Sequence, residues 1–100
     1  MKYIKTYEDT SLKIGDYVAM MSLDDNISLN NFLRNNIGVC IDIDEGITVK
    51  YLNIPNDIQN FFGYGEDGAR RFRKTSFIRY ATQQEIDEFK IKNITIKYNL

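Results

Sequence analysis

The side chains best equipped for chemistry lie close together in the last third of the sequence, at Arg70, Arg71, Arg73 and Lys74, with Arg79 shortly after. Guanidinium groups are planar, permanently charged donors that grip carboxylates or phosphates through paired hydrogen bonds. On a strand, Arg71 and Arg73 share one face while Arg70, Phe72 and Lys74 share the other, so only part of the cluster converges on one ligand. The same arginines could instead pair internally with Asp42, Asp44, Glu45, Glu66 and Asp67. Just upstream, Gly63-Tyr64-Gly65-Glu66-Asp67-Gly68 spells G-x-G-x-x-G. A dinucleotide loop needs a strand before it and a helix after it. Here Phe61-Phe62 reads as helix and Arg70 to Arg73 as strand, and Glu66 and Asp67 would repel phosphate. The stretch is expected to be a loop tip that offers Tyr64 as a contact residue.

Other chemistry is scarce. No histidine occurs in the sequence, which removes triads built on imidazole and the commonest metal ligand. Cys40 stands between Val39 and Ile41 with no basic neighbour to lower its pKa, so it reads as a small hydrophobe and not as a nucleophile. Asp42, Asp44 and Glu45 gather oxygen ligands that a hard cation would accept. They lack the twelve-residue calcium-loop pattern, and a solvated turn accounts for them. No catalytic residue, metal site or cofactor is expected.

The elements that must carry these residues are written in period two. Ile37, Val39, Ile41 and Ile43 alternate with Gly38, Cys40 and Asp42, and after Asp44-Glu45-Gly46 the alternation resumes at Ile47, Val49 and Tyr51. That is a β-hairpin with one apolar face, and Gly46 is expected to supply a positive φ in its loop. Tyr3, Ile4 and Tyr7 suggest an N-terminal strand or arm, and Gly15-Asp16 a turn into a strand over Tyr17 to Leu23. Leu29, Phe32 and Leu33 fall at i, i+3 and i+4, predicting a single helical turn that Ser28 would cap. Ile54, Ile58, Phe61 and Phe62 predict a second short helix, stopped by Gly63. Ala69 to Lys74 and Phe77 to Tyr80 read as two short strands, or as a strand and a 3₁₀ turn. Thr82-Gln83-Gln84-Glu85 fits a capping box, starting a short helix with Ile86 and Phe89 as its stripe. Ile94, Ile96 and Tyr98 predict a final strand.

A chain of 100 residues is expected to form one domain, residues 1–100, with one core. No stretch approaches the roughly 18 apolar residues of a membrane span. No secretory signal is visible, and a single cysteine forms no internal disulfide, so the cytoplasm is the expected compartment. The abundance of Ile, Asn, Lys and Tyr fits an AT-rich genome. Net charge is −1, but residues 1–68 hold five basic and eleven acidic side chains and residues 69–100 hold eight and three. This polarity could steer a charged partner or be cancelled by the fold.

The order Gly15-Asp16-Tyr17-Val18, Ile37-Gly38-Val39, Val49-Lys50-Tyr51, Phe72 through Ile78 and Thr82 to Phe89 resembles small SH3-like barrel proteins of phages and AT-rich bacteria. The resemblance implies a mainly β fold, a barrel of about five to six antiparallel strands with one or two short helices. Proteins of this kind include RNA binders, peptide binders and inhibitors of host defence enzymes. Because tyrosine and arginine are enriched at interface hot spots, the expectation is a non-enzymatic protein-binding module, such as an anti-CRISPR-like inhibitor of a host or defence protein. The partner-binding residues would be Tyr64, Arg70, Arg71, Arg73 and Lys74. An alternative is a KOW-like barrel that binds RNA or DNA through the basic strand 70–74, although a pI near 5.3 speaks against it. A third option, a small-ligand protein or enzyme built on the carboxylates, rests on the hairpin tip alone.

Overall fold

Five short strands, all but the arginine-rich β4 well supplied with β-branched or aromatic residues, build the frame of the computed structural model, which describes residues 12–98. The strands are β1 (Tyr17–Met20), β2 (Gly38–Ile43), β3 (Gly46–Lys50), β4 (Ala69–Arg73) and β5 (Phe77–Tyr80). Helix α1 (Ile27–Asn35) joins β1 to β2, and α2 (Gln83–Tyr98) follows β5. The strands form one antiparallel sheet in the order β4-β3-β2-β1-β5. The protein is therefore mainly β. The sheet does not close into the expected barrel: β4 and β5 are its two ends and do not pair with each other. The proposed arm at Tyr3, Ile4 and Tyr7 lies outside the described residues.

One face of the sheet is covered by the main core, and the other is covered beside β1 and β2 only. On one, Val18 and Met20 of β1, Cys40 of β2, Ile47 and Val49 of β3 and Phe72 of β4 join Leu29, Phe32 and Leu33 of α1 and Ile58 of a 3₁₀ turn at Asn56–Phe61. On the other, Phe89 of α2 packs with Ala19 and Ile37, flanked by Tyr17, Val39, Leu52 and Ala81. This corrects the expectation of one apolar face along β2. The main core takes Gly38 and Cys40, while Ile37 and Val39 face α2. A register shift between Cys40 and Asp42 then returns Ile43 to the main core.

Gly46 has no positive φ. Its small size matters instead, because a Cβ there would come 2.7 Å from the Phe72 carbonyl oxygen and 3.0 Å from Arg71 Nε. Where a positive φ is needed is in the following loop, at Gly63 (129°), Gly65 (81°) and Gly68 (82°).

The helices also differ from expectation. α1 has nine residues and not a single turn, and its cap is Asn26, whose Oδ1 accepts from the Leu29 N–H at 2.9 Å, in place of Ser28. The capping box of α2 forms as read: the Thr82 N–H donates to Glu85 Oε1 at 2.9 Å and the Glu85 N–H donates to Thr82 Oγ1 at 3.2 Å. The final strand over Ile94, Ile96 and Tyr98 is overturned, because α2 continues through these residues for 16 in all. No Gly or Pro follows Thr82 to stop it. Once nucleated, a helix gains a hydrogen bond with each added residue, which outweighs a weak alternation.

Candidate functional site

β4 carries the arginine cluster, and its neighbours divide the cluster into an internal part and an outward part. Arg70 is internal. Its Nη2 donates to Asp24 Oδ2 at 2.9 Å and Ser22 Oγ at 3.3 Å, and its Nη1 to the Phe61 carbonyl at 3.2 Å. The guanidinium also lies 5.7 Å from the Phe61 ring centroid and 5.4 Å from that of Phe72. Arg70 thus ties the β4 end of the sheet to the segment that leaves β1. Asp24 and Ser22 carry no sequence signal for this role, being more than 40 residues from their partner.

Arg71 lies on the opposite face and is exposed. Its Nη2 donates to Asp44 Oδ1 at 2.8 Å, and its guanidinium stands 5.7 Å from the Tyr64 ring centroid. The Asp44 carboxylate also accepts from the Gly46 N–H at 2.8 Å. That backbone bond first, and the Arg71 bond second, hold its pKa below the usual carboxylate value. Tyr64 is 53% exposed. Its loop is anchored to the sheet, since the N–H groups of Gly63 and Tyr64 both donate to the Ala69 carbonyl, at 2.6 and 2.9 Å.

Arg73 and Lys74 are exposed and have no ion-pair partner among the described residues. Tyr64, Arg71 and Arg73 therefore occupy one side of β4, and Lys74 begins the 3₁₀ turn Lys74–Ser76 that leads to β5. Arg70 is turned away from them. Of the carboxylates expected to neutralise the arginines, only Asp44 does so; Glu66 pairs with Lys50 at 2.7 Å and Asp42 accepts from the Ile43 N–H. Arg79 pairs with Glu85 at 2.8 Å.

Beside β4 is a hollow of about 230 Å³ lined by Met21 to Asp24, Arg70 to Arg73 and Ser76. It separates the edge of the sheet from the segment after β1. Elsewhere, Cys40 is 1% exposed, and burial raises its thiol pKa. Among the described residues no cluster of carboxylate and thiol side chains is placed to hold a metal ion. No helix among them is long and apolar enough to cross a membrane. Comparison with protein-family models, curated proteins and solved structures finds no match.

Proposed function

We propose that this protein is a non-enzymatic protein-binding module whose contact surface is the Tyr64 loop together with Arg71, Arg73 and Lys74. One observation carries this reading: an exposed tyrosine, stacked on by Arg71, stands on a loop that two backbone hydrogen bonds fasten to a rigid strand. Tyrosine and arginine supply much of the energy at protein interfaces, and a loop held in place loses little entropy on binding. Arg70 is left out of the surface because both terminal nitrogens of its guanidinium are engaged within the fold.

The finer reading is of an SH3-like protein of phage or mobile-element origin that inhibits a bacterial host or defence protein in the cytoplasm. Its support is the sequence pattern, the AT-rich composition, the return of β5 to pair with β1, and the single 3₁₀ turn between β4 and β5. Tagged protein passed through a bacterial lysate should retain a specific protein, and Tyr64→Ala with Arg73→Glu should release it. Recovery of nothing specific, or equal recovery by the double variant, would remove this function.

Nucleic-acid binding is a second reading, supported by the unpaired charges of Arg73 and Lys74. It requires affinity for duplex or single-stranded oligonucleotides that falls steeply with salt. Two of the basic groups near this site, Arg70 and Arg71, are already neutralised by Asp24 and Asp44, which favours the protein partner.

A further inference from the structure

The backbone rhythm of β4 shows which of its groups are left over. Tyr51 N–H donates to the Gly68 carbonyl at 2.9 Å, which makes Tyr51 and Gly68 a hydrogen-bonded pair of the β3/β4 ladder. In an antiparallel ladder such pairs alternate with non-bonded ones. The register pairs Val49 with Arg70 and Ile47 with Phe72, so these are bonded, whereas Ala69, Arg71 and Arg73 turn their N–H and C=O groups away from β3. The Ala69 carbonyl confirms the direction, since it accepts from Gly63 and Tyr64. Among the described residues the Arg71 N–H and C=O and the Arg73 N–H have no backbone partner, while the Arg73 carbonyl accepts the first bond of the 3₁₀ turn Lys74–Ser76.

An unpaired strand edge is a template for another strand. We propose that the outer edge of β4 accepts an extended acidic segment of a partner protein as a sixth strand, paired through Arg71 and Arg73. The proposal rests on the protein-binding reading and specifies the partner's chemistry. The hollow between β4 and the segment after β1 lies where the added strand would run. Alternate side chains of the guest would enter it beside Phe72 and Met21, and the others would meet Arg71 and Arg73 on the opposite face. Acidic residues suit the second set, because Arg73 and the adjoining Lys74 lack a counter-charge among the described residues.

Charge also selects the guest over a second copy of this chain. Two β4 edges paired antiparallel about Phe72 would set Arg71 opposite Arg73 in both directions, and like charges directly opposite are destabilising. The other end of the sheet is less inviting. On β5 the Arg79 guanidinium donates to the Tyr80 carbonyl at 3.1 Å, and an irregularity between Ala19 and Met20 breaks the regular pairing.

The test is a titration of the isotope-labelled full chain with a peptide of alternating Glu and Val, read by amide hydrogen exchange and chemical shift. The amides of Arg71 and Arg73 should gain protection while those of Arg70 and Phe72, already bonded to β3, stay unchanged. Arg73→Glu, or a peptide of alternating Lys and Val, should weaken binding about fivefold, as expected for two lost charge pairs. Equal binding of the Lys peptide, or no binding of the Glu peptide, would overturn the proposal. So would protection of Arg71 and Arg73 that rises with protein concentration and needs no peptide, which would assign the edge to a second copy. Shifts at Tyr64 and Lys74 without protection at Arg71 and Arg73 would remove the added strand and leave the protein-binding reading standing. Failure of that reading itself would show in the lysate experiment.

Discussion

Arg70 and Asp24, 46 residues apart in sequence, meet at 2.9 Å and join the β4 end of the sheet to the chain leaving β1. The sheet's backbone ladder is open at this point, so a side chain does what a strand pair would do in a closed barrel. Arg70 is three-quarters or more covered and binds three acceptors, which makes it the more demanding partner.

Arg70→Ala is expected to destabilise the fold by about 2 kcal/mol, because hydrogen bonds to a charged group are lost and the Phe61 carbonyl loses its donor. Arg70→Lys should recover less than half, since a single ammonium cannot span the three acceptors. Asp24→Asn should cost under about 1 kcal/mol, as Asp24 is half exposed. Urea denaturation of the three variants measures all of this; equal stability of Arg70→Ala and the parent chain would rule out the clasp.

Gly46→Ala should be destabilising by about 1–3 kcal/mol, because the new methyl group meets the Phe72 carbonyl, a backbone atom that cannot yield without moving β4. Thermal unfolding measures the loss. Amide shifts should place the disturbance at Arg71, Phe72 and Arg73.

Tyr51 is 2% exposed, and its hydroxyl has no hydrogen-bond partner among the described residues. Burial pushes the pKa of this phenol well up. Its ring packs edge-on against Phe32 and Phe62, both with centroids 5.6 Å away, and these contacts need no hydroxyl. Tyr51→Phe is therefore expected to stabilise the protein by about 1 kcal/mol, the cost of an unsatisfied buried polar group. A lower melting temperature for this variant would show that the hydroxyl contributes an interaction.

Glu85 has its pKa lowered from 4.5 to about 2, chiefly by the Arg79 guanidinium and next by the Thr82 N–H. The unfolded chain binds a proton near pH 4.5 that the folded chain refuses until about pH 2, so the stabilisation is complete above the first value and fades as pH falls toward the second. The stability difference between the parent chain and Glu85→Gln should be constant near neutrality and shrink between those two values. Both groups are substantially exposed, so the difference itself will be small. A difference that grows with acidification would contradict the assignment.

Local information was legible wherever the physics is local. The hairpin from Ile37 to Tyr51 follows from alternation, the start of α2 from Thr82 and Glu85, and the glycine-rich loop from the absence of flanking elements fit for a nucleotide. The exposed position of Tyr64 follows from the same loop. α1 was visible as an i, i+3, i+4 pattern, although Asn26 and Ser28 are both chemically able to cap it and only the folded backbone chooses between them.

What the tertiary structure decided are the contacts between distant residues and the faces they select. Alternation marks both sides of β2 as able to be buried, but it took the position of α2 to show that Ile37 and Val39 have their own cover. The tract from Ile94 to Tyr98 alternates like a strand, yet it extends a helix already begun and pairs with none of the described strands. The five basic groups look alike in sequence. Folding ties Arg70 to Asp24, sets Arg71 between Asp44 and Tyr64, pairs Arg79 with Glu85, and leaves Arg73 and Lys74 outward. Charge type is a property of each residue alone, whereas whether a charge is spent or available depends on which carboxylate the folded chain brings within hydrogen-bonding distance.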